Sequence, residues 1–279
     1  MTIKKNDVRK VFMKKGTCSQ TFAYLLNRES GHTKENEERA SDLLAGGLMQ
    51  TGHQCGMLWG SSLAAGAESF RMYNDRCQAI AMTITATQYI MESFSERTKT
   101  HNCLEITHCD MTTKSGMAKI MFKTIICGFI YSHCFNLAVK WFPEAIQAAE
   151  KGLSQKPSFN IIPLSCASEV AKKMGASDEE IVMVAGFAGG LGLSGNACGA
   201  LSAAIWMKSL AWCKVNPGKS IPYFNNKDMI KIMNLFYHAT DSGILCKDIC
   251  GKCFKTIDEH SEFIKNGGCE KLIDLLAQG

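Results

Sequence analysis

Cysteine sets the chemistry open to this chain. Fourteen of its 279 residues are cysteines, and eight of them fall on a frame that occurs twice. Cys55 and Cys103 lie 48 residues apart, as do Cys198 and Cys246. Cys18 and Cys134 flank the first pair, and Cys166 and Cys269 flank the second. The thiolate is the nucleophile and the metal ligand, so four per copy permit three chemistries. They match the ligand count of an iron–sulfur cluster and that of a tetrahedral zinc site. They could also form two redox-active disulfides that exchange by thiolate attack. Spacings of 23 to 48 residues are unlike the close ligand pairs of zinc ribbons, and they require separate helices or loops to converge.

The frame belongs to a duplication. Residues 45–56 read AGGLMQTGHQCG and residues 188–199 read AGGLGLSGNACG, with seven of twelve positions identical and no gap. Downstream, Cys103-Leu-Glu105-Ile106 matches Cys246-Lys-Asp248-Ile249, each preceded by a phenylalanine, Phe94 or Phe236. Cys18 precedes Cys55 by 37 residues and Cys166 precedes Cys198 by 32. An insertion of about five residues therefore sits in the charged stretch Arg28–Arg39. Lys151–Pro163, with Pro157 and Pro163, reads as the linker and divides the chain into copies at 1–150 and 151–279. The other six cysteines (77, 109, 127, 213, 250 and 253) have no clear counterpart.

A run of small residues lies beside each motif cysteine. Gly52, Gly56 and Gly60 recur every four residues, with Gly195, Gly199 and Ala203 at the same places. On a helix such positions share a face. Glycine costs about 1 kcal/mol within a helix, so the run needs a reason. One is the close crossing of a second helix. The other is bare backbone donating N–H bonds to a sulfur ligand or cofactor beside Cys55 and Cys198. On that second reading Gly56, Gly60 and Gly199 are the candidate cofactor-binding positions.

His53, His101, His108 and His133 each lie within two residues of a cysteine. They read as incidental surface histidines, the alternatives being an imidazolium that assists a thiolate and a neutral imidazole that serves as a ligand. Two further patterns lack context. Cys246-x-x-x-Cys250-x-x-Cys253 has radical-SAM spacing but little chain beyond it, and Cys250-Gly-Lys-Cys253 lacks the βαβ setting of a thioredoxin pair. No acid–base pair, phosphate loop or nucleophile–His–Asp spacing names a substrate.

The elements that must position these thiols read as helices. Apolar residues have helical spacing over Cys18–Asn27, Cys166–Met174, Asp228–His238 and Glu270–Leu276, and Asp75, Ser177 and Asn226 make suitable N-caps. Strand alternation is scarce. The expected fold class is all-α, as two tandem helical-bundle repeats, with packing as a pseudo-two-fold pair left open.

Hydrophobic residues at 46% and charged residues at 20% fit a folded protein and exclude disorder. The net charge of +5 is mild. The densest basic stretch (Lys4, Lys5, Arg9, Lys10, Lys14, Lys15) lacks interleaved aromatics, so it reads as a solvated helix face and not as a nucleic-acid site. The uncharged run from Ile181 to Met207 is broken by six glycines and by Ser194, Asn196 and Ser202, which favours tightly packed helices over a membrane span. No apolar leader follows Met1, so a reducing cytoplasm is expected, where cysteines serve metal or redox chemistry.

Taken together, Cys18, Cys55-Gly56-Met57-Leu58-Trp59-Gly60, Cys103 and Cys134, then Cys166, Cys198-Gly199-Ala200-Leu201-Ser202-Ala203, Cys246 and Cys269 carry a resemblance. The chain resembles the redox-active protein family named for a C_GCAxxG_C_C signature, over nearly its whole length and twice. Met57 replaces the expected alanine and Ala203 the last glycine. Members are typically short bacterial or archaeal proteins with one copy. A similar domain occurs in split-Soret cytochrome c, where the four cysteines are thought to hold an iron–sulfur cluster beside haem domains. The resemblance implies an electron-transfer protein with the eight frame cysteines as metal ligands and an electron donor or acceptor protein as partner. Zinc, a metal-free thiol–disulfide oxidoreductase and homo-oligomerisation stay open. No Cys-x-x-Cys-His occurs, so covalent haem is not supported.

Overall fold

The computed structural model describes residues 5–126, 132–156, 159–222 and 226–279. Among these the chain forms fifteen α-helices and no strand. The first copy runs α1 (Lys5–Lys15), α2 (Cys18–Glu29), α3 (Glu35–Ala40), α4 (Gly56–Met72), α5 (Arg76–Thr98), α6 (Cys103–Thr107), α7 (Lys114–Ile126) and α8 (His133–Leu153). From α2 onward the second copy repeats this order. It runs α9 (Cys166–Lys173), α10 (Asp178–Met183), α11 (Gly199–Val215), α12 (Lys227–Ala239), α13 (Cys246–Cys250), α14 (Ile257–Lys265) and α15 (Glu270–Gln278).

Local chemistry explains where these helices start. Asp75 accepts from the Gln78 N–H at 2.8 Å, Asn226 accepts from Met229 at 3.3 Å, and Ser177 forms a reciprocal capping box with Glu180. Each satisfies an N–H group that the first helical turn leaves without a partner. The insertion in the first copy also has a structural form. α2 has 12 residues and α9 has 8, so most of the extra chain is one additional turn of helix. In α1, Val8 and Phe12 are buried, while Lys10 and Lys14 face solvent. The uncharged run divides into the end of α10, a short 3₁₀ turn (Ala185–Phe187), a loop and the start of α11. No described helix is long and apolar enough to cross a membrane.

The two copies share one core, and they pack reciprocally: α4 lies against α10, and its counterpart α11 lies against α3. Gly66 of α4 permits this approach, since a Cβ there would stand 2.5 Å from the Met183 backbone. The Trp206 indole donates to the Glu37 carbonyl at 3.2 Å. Gln54, fully buried, spans the junction. Its amide donates to the Gly190 carbonyl at 3.0 Å, and its oxygen accepts from the Ala197 N–H at 3.1 Å.

The approach to Cys166 is fixed by α14. His260 Nδ1 donates to the Leu164 carbonyl at 3.0 Å, and the Leu164 N–H donates to Ser261 at 2.9 Å. Burial pushes the His260 imidazole from its ordinary 6.5 down to about 4. Between those values the unfolded chain binds a proton that the folded chain excludes. The stabilisation is therefore complete above about pH 6.5 and is lost as the pH falls toward 4. Urea titrations should show stability declining across that window, and His260→Gln should flatten that part of the decline. An unchanged profile in the variant would refute the assignment.

Candidate functional site

All eight frame cysteines stand where helices begin. Cys18 and Cys166 are the first residues of α2 and α9, and Cys55 and Cys198 are the N-caps of α4 and α11. Cys134 is the second residue of α8, and Cys269 is the N-cap of α15. Free N–H groups and the positive end of the helix dipole favour a thiolate at such positions. Cys103 and Cys246 open the short turns α6 and α13, which serve to position them.

That positioning is the same in both copies. The Cys55 N–H donates to the His101 carbonyl at 2.8 Å, and the Cys103 N–H donates to the His53 carbonyl at 2.6 Å. In the second copy Cys198 donates to Ile244 at 2.9 Å and Cys246 to Asn196 at 2.6 Å. Antiparallel bridges at Gln54–Asn102 and Ala197–Leu245 join these segments. The shared spacing of 48 residues is the length of the excursion that brings the chain back to this bridge. The histidines near Cys55 and Cys103 thus contribute backbone carbonyls, a task that Asn196 and Ile244 perform equally well. The ring of His101 meets the Met91 carbonyl instead, and burial holds the His53 and His101 imidazoles below their usual range.

The glycine-rich segments shape the other wall. Residues 46–50 and 189–193 are each five consecutive residues with positive φ, including Leu48, Met49 and Gln50 in one copy and Leu191 and Leu193 in the other. L-residues adopt this conformation at a cost. It is held here by matched bonds, such as Gly52 N–H to Gly46 O at 3.1 Å and Gly195 N–H to Gly189 O at 2.9 Å. The result is a backbone donor aimed at a thiol: Gly46 N–H bonds Cys18, and Gly189 N–H bonds Cys166. In the sequence this segment is visible as a repeat and not as a wall of donors for sulfur. The identical Ala-Gly-Gly-Leu in both copies was the available signal.

The regular four-residue glycine spacing has a different basis from the one it suggests. Gly52 and Gly195 lie in loops, at φ +82° and +72°, and are not helical. Gly56 leaves room for sulfur, since its missing Cβ would stand 2.5 Å from Cys18 Sγ. Gly60 and Gly199 allow close backbone packing, against the Ser19 and Phe187 carbonyls.

The sulfur atoms of each copy perturb one another. The Cys55 thiol donates to Cys18, and this bond, with the N–H groups of Gly46, Ser19 and Cys18 itself, holds Cys18 below the ordinary thiol range despite burial. The same bond, with burial and the charge of Cys18, pushes Cys55 well up. Burial, followed by Cys18 and Cys109, raises Cys134 to about 12. Cys103 is raised by burial and by Cys18, Cys134 and Cys109. In the second copy burial and the thiols of Cys198 and Cys269 raise Cys166, and burial raises Cys198 to about 12. Cys246 receives a lowering bond from Cys250, but burial and the neighbouring thiols leave it raised.

A fifth cysteine joins each set. Cys109 acts on Cys103 and Cys134. Cys250 lies 3.8 Å from Cys246 and 3.6 Å from Cys269, sulfur to sulfur. In the sequence Cys250 stands out only within the Cys246-x-x-x-Cys250-x-x-Cys253 spacing, and nothing in the spacing marks Cys109. Cys253 is exposed over Gly195, Cys213 is buried in α11, and Cys77 lies at the start of α5. Cys127 lies outside the described residues.

The donors in each copy are thiols, set among backbone N–H groups at helix N-termini. This surrounding suits an anionic, thiolate-held group, because it supplies positive potential from backbone donors. Among the described residues no three His, Cys, Asp or Glu side chains are grouped as ligands of a single metal ion. The thiols of Cys55 and Cys103, raised well above the usual range, would release their protons on binding a metal.

No curated protein and no solved structure matches the chain. One family model does, described as "putative redox-active protein (C_GCAxxG_C_C)", over residues 17–141 and again over 164–278. Each segment contains one set of four frame cysteines at its helix starts, and together they span most of the sequence. The chain belongs to the C_GCAxxG_C_C family, as two tandem copies.

Proposed function

We propose that the chain is an electron carrier that holds an iron–sulfur group on Cys18, Cys55, Cys103 and Cys134, and a second on Cys166, Cys198, Cys246 and Cys269. The observation that carries this reading is the set of four thiols at helix starts in each copy, two of them fastened by the same backbone bonds in both. When bound, such a group supplies one-electron chemistry at a potential set by burial and by hydrogen bonds to sulfur. The chain's own part is to orient the thiols, direct the Gly46 and Gly189 N–H groups at sulfur, and exclude water through burial of Cys55, Cys103, Cys166, Cys198 and Cys246. Cys18, Cys134 and Cys269 are only partly buried, which gives each site an edge where a partner protein can exchange electrons. A reducing cytoplasm suits this chemistry.

Anaerobic purification followed by iron and acid-labile sulfide analysis tests the proposal. Brown protein containing both is the expected result. Colourless protein that lacks both, and that stays so after incubation with ferrous iron and sulfide, would overturn it. Zinc without sulfide would assign the frame to a redox-inert ion instead.

A further inference from the structure

No cysteine stands at the place of Cys250 in the first copy, where the fifth cysteine, Cys109, lies two residues further on. The residue 143 positions earlier, the offset that relates Cys55 to Cys198 and Cys103 to Cys246, is Thr107. Thr107 donates its hydroxyl to the Cys103 carbonyl at 2.7 Å. In the second copy that place holds a thiol in contact with two frame cysteines, at 3.8 Å from Cys246 and 3.6 Å from Cys269. The near-equal distances conceal unequal geometry. Cys246 and Cys250 are four apart on one short helix, where Cβ atoms lie about 5–6 Å apart. A disulfide needs them about 3.5–4.5 Å apart, so that pair can join only by distorting α13. Cys269 lies on a separate element, the left-handed N-cap of α15, and can approach Cys250 without that constraint. Solvent access agrees: Cys246 is buried, whereas Cys250 and Cys269 are partly exposed.

We propose that Cys250 and Cys269 form a reversible disulfide, a modification site confined to the second copy, with a low-molecular-weight disulfide of the glutathione type as oxidant. The Cys250 sulfur attacks the small disulfide, whose S–S bond breaks to release one thiol, which carries away the Cys250 proton. The Cys269 sulfur then attacks Cys250 Sγ, displacing the second small thiol with the Cys269 proton. Two protein thiols are oxidised to one disulfide while one small disulfide is reduced to two thiols. The disulfide withdraws Cys269 from the frame of four, so oxidation disarms the second site and a reducing thiol restores it.

The test is peptide mapping by mass spectrometry of the reduced, metal-free full chain, incubated for hours at pH 8 with glutathione disulfide and then alkylated without reduction. The expected product is a Cys250–Cys269 cross-linked peptide that dithiothreitol removes. Cys250→Thr, which installs the first copy's residue, should abolish it and leave Cys269 open to alkylation, whereas Cys253→Ser should leave the cross-link intact. A cross-link of Cys250 only to Cys246 or Cys253, or glutathionylation of Cys250 without a protein disulfide, would overturn the proposal. A second arm rests on the proposed function: oxidised protein offered ferrous iron and sulfide should take up half as much as reduced protein. No uptake by either form, with the cross-link mapped, would reject the iron–sulfur reading and leave the disulfide standing.

Discussion

Trp59→Ala is expected to destabilise the fold by about 3–5 kcal/mol, measured by urea denaturation. Trp59 is fully buried in the first turns of α4, four residues after Cys55. Its ring meets Phe187 edge-on, with centroids 4.8 Å apart and planes at 89°, and its indole N–H donates to the Gln54 carbonyl at 3.1 Å. Phe187 lies in the short turn that leads into the second glycine-rich loop. Removing the indole therefore opens a cavity at the junction of the two copies and frees a backbone carbonyl beside the first site. A double-mutant cycle with Phe187→Ala should give a coupling of about 0.5–1.5 kcal/mol, as for other aromatic pairs. A loss below about 1 kcal/mol for Trp59→Ala would indicate repacking and would deny this ring a role in joining the copies.

On the proposed iron–sulfur reading, serine at Cys55 or at Cys198 is expected to halve the iron and sulfide bound, and the double variant should bind neither. Each of these cysteines is the N-cap of a 17-residue helix and is fastened by its own N–H to the segment leading to the next frame cysteine. The substitution keeps that backbone bond and the helix start, and it replaces only the sulfur. Loss of metal should therefore occur with the far-UV circular dichroism unchanged. If one serine removed all the iron, the two copies would share a single group. If neither reduced it, the frame cysteines would not be the ligands.

Much of this architecture was legible because duplication writes the same constraint twice. The common spacing of 48 residues, the caps at Asp75, Ser177 and Asn226, and helices starting at Cys18 and Cys166 all correspond to features of the structure. Periodicity could not show that residues 46–50 and 189–193 turn left-handed, because Leu48, Met49 and Leu191 have no intrinsic preference for that conformation. Tertiary hydrogen bonds impose it. The four-residue spacing from Gly56 suggests a helix at Gly52, although the helix begins only at Gly56. The sulfur contacts of Cys250 were obscured for a related reason. Its sequence neighbours suggested a pair with Cys253, while its partner Cys269 comes from a distant helix.

Gln54 has one more consequence. In a two-fold dimer every interface contact is made twice, because residue i meets j and j meets i. Gln54 reaches Gly190 and Ala197, yet the residue corresponding to Gln54 in the second copy is Ala197 itself, with no amide to return the contact. Trp59 likewise corresponds to Ser202, and Phe187 to Leu44. Joining two copies in one chain released each position from serving both sides of its own interface. A symmetric dimer has two equal thiol sites and no direction between them, whereas this molecule has two unequal ones and can have a direction.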